Sequence, residues 1–338
     1  MSGLRFTLSI ASCLLLASFT FAAEPSATEA APKVLRAGII GLDTSHVTAF
    51  TKTLNAEKPK PEAVGVRVVA AWPGGSADIP SSINRVPGFT NDVKKLGVEI
   101  VDSIDELLKR VDVVFIESLD GRVHLEQLRP VLKAKKPVYI DKPLAASLPD
   151  VLRIFDEAKA AGVPIFSSSS LRFGKSTLAA RAGTLGKITH CEASSPASLE
   201  PHHVDLYWYG IHGCEALYTV MGTGCISVQR GTTADGKIEV TGEWPDGRVG
   251  IFREGKGYSG KAVGDKGESA IGASEGYDPM LYEIVKFFKT GTPPVAAEET
   301  IELYTFMEAA DESKRQGGAK VLLADVLKKA RAEVDAKK

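Results

Sequence analysis

Residues 37–46 read AGIIGLDTSH, and this stretch decides the fold. An apolar run that ends in a glycine predicts a buried β-strand leading into a tight turn. Such a strand, followed by a helix, is typical of a dinucleotide-binding turn with the fingerprint G-x-G-x-x-G. If Gly41 is the first glycine, Asp43 takes the second position and His46 the third. The stretch therefore predicts a dinucleotide-type turn in which two of the three glycines are replaced.

The replaced positions change what this turn can bind. The second glycine normally lets the backbone approach a pyrophosphate, so the carboxylate of Asp43 would repel that group unless its side chain turns away. Asp43 could instead cap the following helix. Thr44 and Ser45 could donate hydrogen bonds to phosphate, and the start of a helix favours an anion.

Alternating strands and helices follow the opening strand at 34–41. Apolar runs at 66–72, 98–101, 111–117, 137–140 and 163–167 predict strands, and helical patterns at 46–55, 91–96, 103–110, 125–134 and 149–161 separate them. Ser103, with Glu106 three residues on, predicts a capped start for the helix at 103–110. This order predicts an α/β domain over residues 34–165, with a parallel sheet covered by helices on both faces. Ligands of such sheets bind at the C-terminal ends of the strands, after Gly41, Trp72, Glu117 and Ile140.

The pattern changes after about residue 170. Strands are predicted at 188–193, 225–231, 237–244 and 247–253, and Pro245-Asp246-Gly247 is a hairpin signal between two of them. Helices are predicted at 280–289 and 298–316, and a polar helical tail at 326–338. We expect a second α/β domain over residues 166–325, with a largely antiparallel open sheet.

The N-terminus has the pattern of an export signal. Arg5 precedes an interrupted apolar stretch, and Thr20-Phe21-Ala22 places small residues before a cleavage site. We therefore predict a Sec-type signal peptide over residues 1–22 and a linker over 23–33, which makes the mature protein periplasmic or secreted. An uncleaved anchor and a lipoprotein processed at Cys13 are the alternatives.

Composition excludes some classes of function. The chain of 338 residues has a formal net charge of −1 and no basic stripe, so no nucleic-acid partner is expected, and no membrane contact is expected after signal cleavage. Cys191, Cys214 and Cys225 remain beyond the signal and have no C-x-x-C spacing. They allow either one disulfide with one free thiol or three buried thiols.

Five blocks of sequence occur in a characteristic order. They are AGIIG at 37–41, VDVVFIESLDGRVHLEQLRPVLKAKKPVYIDKPLA at 111–145, SSSSLRF at 167–173, WYGIHGCEALYTVMG at 208–222, and MLYEIVKFFKTGTPP at 280–294 with TFMEAADESKRQGG at 305–318. In this order they resemble the glucose–fructose oxidoreductase/inositol dehydrogenase (Gfo/Idh/MocA) family, as a divergent secreted member.

The resemblance implies a fold and a reaction. It implies an N-terminal Rossmann domain and a C-terminal α/β domain whose open sheet often makes oligomer contacts, so a homo-oligomer is expected. It also implies NAD or NADP as cofactor and hydride transfer at a carbon of a small-molecule sugar or polyol. Lys142 corresponds to the family's lysine near nicotinamide and substrate, and His212 to its acid/base histidine. The family's aspartate falls at Trp208, and Asp205 and Glu215 are the alternative replacements for it.

The candidate residues follow from these arguments. The catalytic candidates are Lys142, His212 and Asp205. The cofactor-binding candidates are Gly38, Gly41, Asp43, Thr44, Ser45, His46, Trp72, Glu117, His124 and Asp141. The substrate-binding candidates are Arg172, His202, His203, Trp208 and Tyr209, and a structural ion pair is the alternative for Arg172. No metal site is predicted, because the spacing of His202, His203, Asp205 and His212 matches no ligand pattern.

Two hypotheses remain open at this point. One is an exported NAD(P)-dependent oxidoreductase acting on a sugar or polyol. The other is a non-redox carbohydrate-binding protein that keeps the fold but has lost ordinary cofactor binding. The departures at Asp43, His46, Trp72 and Trp208 favour the second, and the order of the blocks favours the first.

Overall fold

The computed structural model of the protein describes residues 1, 3 and 34–336. The predicted signal peptide and linker lie outside the described residues, apart from Met1 and Gly3. Residues 34–336 group as one compact unit. Within residues 34–336, no helix combines the length and the apolar character needed to cross a bilayer.

A six-stranded parallel sheet forms the N-terminal half. Its strands are β1 (Leu35–Ile40), β2 (Val66–Trp72), β3 (Glu99–Ile100), β4 (Val113–Ile116), β5 (Val138–Ile140) and β6 (Ile165–Ser167). Their spatial order is β3-β2-β1-β4-β5-β6. The chain therefore adds strands on one side of β1 up to β3 and on the other side from β4 onward, which makes the gap between β1 and β4 the switch point of the sheet. This is the doubly wound Rossmann order, and the predicted N-terminal fold is confirmed.

Six helices connect these strands. They are α1 (Ser45–Leu54), α2 (Pro80–Ile83), α3 (Val86–Lys95), α4 (Ile104–Leu108), α5 (His124–Lys133) and α6 (Leu148–Ala161). The predicted cap of α4 is present, because the Ser103 hydroxyl accepts a hydrogen bond from the Glu106 backbone N–H. Helix α3 begins earlier than the sequence predicts, with Pro87 in its first turn, where proline is tolerated.

A seven-stranded mixed sheet forms the second half. Its strands are β7 (Ile188–Ser195), β8 (Ser227–Thr232), β9 (Ile238–Glu243), β10 (Val249–Glu254), β11 (Ser259–Gly264), β12 (Gly267–Ile271) and β13 (Val321–Leu322). The order is β12-β11-β7-β10-β9-β8-β13, and only the β7–β10 pair is parallel. The largely antiparallel sheet is confirmed, including the hairpin of β9 and β10.

Five helices complete the chain. They are α7 (Lys175–Arg181), α8 (Ile211–Met221), α9 (Asp278–Thr290), α10 (Ala297–Arg315) and α11 (Leu323–Ala336). Helix α8 packs on β7 and β10 and is buried along its whole length. A π-helical turn at Leu206–Gly210 precedes α8 directly.

Helix α9 does not stay with the second sheet. Its apolar residues, among them Met280, Ile284 and Phe288, belong to the hydrophobic core that contains Ile39 and Phe115 of the parallel sheet. The predicted domain boundary near residue 165 therefore does not separate the two hydrophobic cores, because α9, which follows that boundary, packs on the first sheet.

The C-terminal helix is packed rather than frayed over its described residues. Val326, Ala330 and Val334 recur every four residues on α11 and are buried against α6 and α10. The predicted polar tail was read from its charges, and this apolar stripe was missed. Cys191, Cys214 and Cys225 are all buried free thiols, so the alternative of three buried thiols is the one the structure shows.

Candidate active site

A cavity of ≈ 540 Å³ opens at the C-terminal edge of the parallel sheet. The turn after β1 supplies Thr44, Ser45 and His46, and the loop after β5 supplies Asp141 and Lys142. The later part of the chain closes the opposite side with a group that includes His212, Tyr209, Tyr258 and Tyr277. Its size and its position at the switch point of the sheet are those of a small-molecule site.

Glycine at position 41 is required by a close backbone approach. Gly41 has a φ of +90°, and a Cβ placed on it would lie 2.3 Å from Ser118 Oγ and 2.5 Å from the Ser118 backbone nitrogen. The turn after β1 therefore packs directly on the loop after β4. A side chain here would separate the two loops at the point where the sheet reverses.

The carboxylate of Asp43 is turned into the protein. It is fully buried and accepts hydrogen bonds from the Leu119 backbone N–H at 2.9 Å and from Ser82 Oγ at 2.5 Å. Burial raises the pKa of Asp43, although these hydrogen bonds oppose the rise. The side chain thus joins the turn after β1 to the loop after β4 and to helix α2. The repulsion expected at a pyrophosphate is reduced because the carboxylate points away from the cavity.

The start of α1 faces the cavity with polar groups. Thr44 Oγ1 is buried and has no hydrogen-bond partner among the described residues. Thr44 is the N-cap residue but makes no side-chain cap. Ser45 Oγ lies 3.0 Å from the Tyr277 hydroxyl, which links this helix to the segment before α9. An anion at this helix start would meet backbone N–H groups and the positive end of the helix dipole.

His46 lies between two buried carboxyl groups. Its Nδ1 is 3.1 Å from Asp141 Oδ2 and 3.3 Å from Glu117 Oε2. Burial alone would lower the pKa of His46, but Asp141 and Glu117 outweigh it and raise that pKa to about 10. Burial, and then the charge of Asp141, raise the pKa of Glu117 to about 8. Burial opposes ionisation of Asp141, yet His46 keeps its pKa below the ordinary value.

Lys142 follows β5 and points across the cavity toward the second half of the chain. Its Nζ lies 5.4 Å from the centre of the Tyr209 ring, within the range of a cation–π contact. Its backbone N–H donates to Asp141 Oδ1 at 2.8 Å, and the Lys142–Pro143 peptide bond is cis. The ammonium group thus lines the same cavity as His212.

The hydroxyl of Ser169 contacts the imidazole of His212. Its Nδ1 lies 2.7 Å from Ser169 Oγ, and its ring meets Tyr209 and Tyr258 edge-on. Burial, and next the charge of Lys142, lower the pKa of His212 well below its ordinary value. The imidazole is therefore neutral near pH 7 and can accept a proton.

Asp205, the predicted carboxylate partner of His212, does not contact it. The carboxylate of Asp205 binds Arg230 at 2.7 Å and Lys314 at 2.8 Å, and Asp205 does not line the cavity. The expectation assumed two α-helical turns between positions 205 and 212. The π-helical turn at Leu206–Gly210 breaks that period, so the two side chains do not share a face. Ser169 contacts His212 instead.

Four of the five substrate candidates lie outside the cavity lining, and Tyr209 alone lines it. Arg172 is buried in an ion pair with Glu215 at 2.6 Å and in another with Glu299, which is the structural alternative. His203 Nε2 accepts the Gly121 backbone N–H at 3.1 Å, and Trp208 packs on the His203 ring. His202 is exposed beside Glu200 and Asp78.

Three cofactor candidates also have structural places. A Cβ on Gly38 would lie 2.5 Å from Leu107 Cδ2, so this glycine serves the packing of β1 on α4. His124 is fully buried, and its ring nitrogens lie within hydrogen-bond distance of the Leu144 and Ser118 carbonyls. The Trp72 ring packs against Gly74 in the loop after β2.

The sequence patterns did not identify Ser169, which contacts His212, or the cavity residues Tyr258 and Tyr277. Ser169 belongs to the quoted SSSSLRF block, but four consecutive serines gave no reason to choose one. Tyr258 directly precedes β11, and Tyr277 directly precedes α9. Both are far from Lys142 in sequence. Only the folded topology brings them to Lys142 and His212.

The fold is that of a dinucleotide-binding protein, with a cavity at the switch point of its parallel sheet. Residues 35–169 match the family model described as an oxidoreductase family with an NAD-binding Rossmann fold (GFO_IDH_MocA). This match covers the N-terminal part of the chain and agrees with the resemblance to the Gfo/Idh/MocA family that the sequence blocks indicate.

Similar proteins agree with this assignment. Myo-inositol 2-dehydrogenase of Thermotoga maritima is 37% identical over 101 residues, which is 28% of this chain and 30% of that protein, so the alignment spans less than a third of the relative. A probable dehydrogenase from Thermotoga maritima superposes with a TM-score of 0.69 at 22% identity, covering 86% of this chain and 100% of the other. Scyllo-inositol dehydrogenase from Lactobacillus casei, solved with NAD(H) and scyllo-inositol, gives a TM-score of 0.67 at 16% identity, with 86% and 100% covered. These two structures show that the whole two-sheet fold is shared.

Proposed function

We propose that this protein is an NAD- or NADP-dependent oxidoreductase that oxidises or reduces a secondary alcohol carbon of a sugar or polyol. The observation that carries the proposal is that Lys142 and a neutral, buried His212 line one cavity with the start of α1. An acid/base group, a cation and an anion-binding helix start are the parts that hydride transfer from an alcohol requires.

His212 would move the proton. In the oxidation direction its imidazole accepts the proton of the substrate hydroxyl as the carbon is oxidised. Ser169 Oγ lies beside Nδ1, so the catalytic tautomer has Nδ1–H donating to Ser169 and Nε2 as the base. In the reduction direction the same Nε2–H returns the proton to the alkoxide oxygen.

Lys142 would bind the reacting oxygen. Its ammonium group can donate a hydrogen bond to the substrate hydroxyl and stabilise the negative charge that develops on that oxygen. The aromatic ring of Tyr209 lies against the lysine Nζ and limits where the ammonium can point. Lys142 and His212 thus act on the same oxygen from two sides of the cavity.

The residues at the phosphate end of the cavity fit a dinucleotide. Thr44 Oγ1 is a buried, unpartnered hydroxyl at the start of α1, and the Asp43 carboxylate is directed elsewhere. Thr44, Ser45 and the first backbone N–H groups of α1 would hold the pyrophosphate. When bound, the nicotinamide supplies the hydride acceptor or donor.

The adenosine end is less conventional. Strand β2 ends at Trp72 without a carboxylate to grip a ribose, and the Ser76 hydroxyl is used to donate to Asp120 at 2.7 Å. Arg85 on the approach to α3 lines the cavity and is the cation that would meet a 2′-phosphate. The residues described here thus leave both NAD and NADP within the proposal.

The substrate class is taken from chemistry and from relatives. Tyr209 and Tyr258 lie beside His212 with their hydroxyls 3.2 Å apart, which offers both ring faces and hydrogen-bonding groups to a polyhydroxylated ring. The inositol dehydrogenases of Lactobacillus casei were solved with inositols bound. We extend this to a cyclitol or sugar as the substrate of this chain.

Location and assembly are part of the proposal. The signal-like N-terminus supports export to the periplasm or outside the cell, and a nucleotide held through the catalytic cycle would suit a compartment without a free nucleotide pool. The open sheet of the second domain supports a homo-oligomer. Cell fractionation of the tagged full chain and light scattering of the purified protein test these two points.

A second candidate function is supported by one observation. His46 occupies the third glycine position and engages Glu117 and Asp141, which departs from an ordinary dinucleotide turn. On this reading the cavity binds a carbohydrate without redox chemistry.

A turnover assay separates the two candidates. The purified full chain is incubated with NAD or NADP and a panel of cyclitols and hexoses, and reduced nucleotide is followed by absorbance. The oxidoreductase proposal expects turnover with at least one polyol, and its loss in Lys142→Ala with nucleotide binding retained. Polyol binding without any nucleotide-dependent turnover would support the binding protein instead.

A further inference from the structure

Three side chains meet at one point on the cavity floor. His46 comes from the first turn of α1, Glu117 follows β4 and Asp141 follows β5. Their ligand atoms all lie within 4.8 Å of one another, and the three residues are at least nine-tenths buried. Adjacent strand ends of the parallel sheet thus bring together one imidazole and two carboxylates that are far apart in sequence.

The contacts within this group are close ion pairs, but none of them has the geometry of a hydrogen bond. His46 Nδ1, both oxygens of Glu117 and Asp141 Oδ2 all lack a hydrogen-bond partner among the described residues. Yet Nδ1 lies only 3.1 and 3.3 Å from the two carboxylate oxygens. Buried polar atoms are normally satisfied, and four unsatisfied atoms at one point require an explanation.

The spacing is that of atoms sharing a metal ion. Nitrogen and oxygen ligands bind Zn²⁺ at about 2.0–2.2 Å, which places neighbouring ligands roughly 3.0–3.5 Å apart in a tetrahedral or octahedral arrangement. The two measured distances fall within that range. Metal binding would displace the proton of the His46 imidazole, and the lone pairs of Nδ1 and of the two carboxylates would then converge on one point.

Neighbouring groups hold the ligands in place. The other oxygen of Asp141 accepts the Lys142 backbone N–H at 2.8 Å. The His46 ring stacks on Phe50 with centroids 5.1 Å apart and meets Tyr277 edge-on at 4.5 Å. Supported ligands of this kind are typical of metal sites, where outer contacts fix the orientation of each donor.

We propose that His46, Glu117 and Asp141 bind a divalent transition-metal ion such as Zn²⁺ or Mn²⁺. An imidazole with two carboxylates suits these ions better than Ca²⁺ or Mg²⁺, which prefer oxygen ligands alone. Three protein ligands leave coordination positions open, and His46 and Asp141 line the cavity. Oxygen ligands such as the hydroxyls of a polyol would therefore reach the ion from the cavity. The metal site does not depend on the proposed redox function, because occupancy is measured without turnover.

The chain provides a matched control on its surface. His202 lies beside two carboxylates, with Nδ1 2.6 Å from Glu200 and Nε2 3.5 Å from Asp78. This second group has the same residue types but is solvent-exposed, and its histidine already has a hydrogen-bonding partner in Glu200. It would bind metal only weakly. A variant at His202 therefore distinguishes a specific buried metal site from nonspecific binding at the surface.

The test measures metal directly. The purified full chain is stripped with EDTA, dialysed separately against Zn²⁺ or Mn²⁺, freed of excess metal and analysed by elemental mass spectrometry. We expect about one ion per chain in the wild type and in His202→Gln. We expect His46→Gln and Asp141→Asn to reduce the apparent affinity at least about tenfold while circular dichroism shows the native fold.

A second measurement needs no variant. Co²⁺ added to the stripped wild-type protein should give visible absorption bands of a bound ion with nitrogen and oxygen ligands, and Zn²⁺ should abolish them. The proposal is overturned if the wild type retains neither Zn²⁺ nor Mn²⁺ and shows no Co²⁺ bands. It is also overturned if metal is lost from His202→Gln but kept by a folded His46→Gln. Nucleotide binding is recorded on the same samples, so failure of this site is distinguished from failure of the proposed function.

Discussion

The carboxylate of Asp43 accepts a hydrogen bond from the Leu119 backbone N–H at 2.9 Å, which ties the turn after β1 to the loop after β4. The same carboxylate also accepts from Ser82 Oγ and so reaches the segment after β2. Asp43, whose negative charge would repel an anion at this turn, thus links the segments on both sides of the switch point through buried hydrogen bonds. We call this set of hydrogen bonds the Asp43 brace. Its contribution is to stability, and in the proposed function Thr44 and the start of α1 would bind the anion.

Removal of this brace should destabilise the fold. Asp43→Ala leaves the buried Leu119 N–H without a partner, and we expect the free energy of unfolding to fall by about 1–3 kcal/mol. Urea denaturation followed by circular dichroism measures this. The control is Asp102→Ala at an exposed position, which should change little. Equal midpoints for Asp43→Ala and the wild type would show that the brace contributes nothing.

His212 and Ser169 should affect turnover to different extents. His212→Asn removes the base, and we expect kcat to fall by about 10²–10⁴-fold with unchanged nucleotide affinity. Ser169→Ala only frees the imidazole to rotate, so a smaller loss of roughly tenfold in kcat is expected, with the pH profile shifted because the tautomer is no longer fixed. Steady-state kinetics over a pH series measures both effects. An unaltered kcat in His212→Asn would remove His212 from the mechanism.

Arg172 should matter for stability rather than for substrate binding. Arg172→Met leaves the buried Glu215 carboxylate without its cation, and we expect a loss of about 3–5 kcal/mol. The double variant Arg172→Met/Glu215→Gln removes both charges and should recover part of that loss. Chemical denaturation of both variants measures this. Full stability of the single variant together with a raised KM would instead restore the substrate-binding hypothesis.

His203 should make the fold sensitive to acid. Burial, against the opposing charges of Asp120 and Glu200, lowers the pKa of His203 to about 4, below its ordinary value of 6.5. Between these values the unfolded chain holds a proton that the folded chain does not, so the free energy of unfolding decreases as pH falls from 6.5 toward 4. The ceiling for this one group is about 3 kcal/mol.

The pH effect can be assigned with one variant. In His203→Asn this part of the pH dependence should disappear, leaving a flatter stability curve over the same range. Denaturation midpoints at several pH values provide the measurement. A slope equal to that of the wild type would assign the acid sensitivity to other groups.

The fold was largely readable because its signals are local. Strand β2 has the predicted bounds 66–72, and Ser103 caps α4 as its spacing indicated. The short strands β11 and β12 were missed because glycine and charged residues interrupt their apolar alternation. The packing of α9 on the first sheet could not be predicted either. The sequence of an amphipathic helix shows which face is apolar, but it does not show against which hydrophobic core that face packs.

The site was readable only in part. Lys142 and His212 were predicted from two separate sequence blocks, and the structure places both in the lining of one cavity, while their catalytic roles stay a prediction. Asp205 was misplaced because a π-helical turn leaves no clear mark in sequence. His46, Glu117 and Asp141 were each assigned to cofactor binding, but their meeting at one point depends on the strand order β1-β4-β5, which sequence spacing does not contain.

The central claim is that the cavity at the switch point binds a nicotinamide dinucleotide. The most direct measurement is to denature the purified full chain, analyse the released small molecules by absorbance and mass spectrometry, and titrate the native protein with NAD and NADP. We expect released NAD or NADP, or binding with a Kd in the range of about 1 μM, which corresponds to roughly −8 kcal/mol. No released nucleotide together with no binding at millimolar NAD or NADP would contradict it and would leave a carbohydrate-binding protein that keeps the fold.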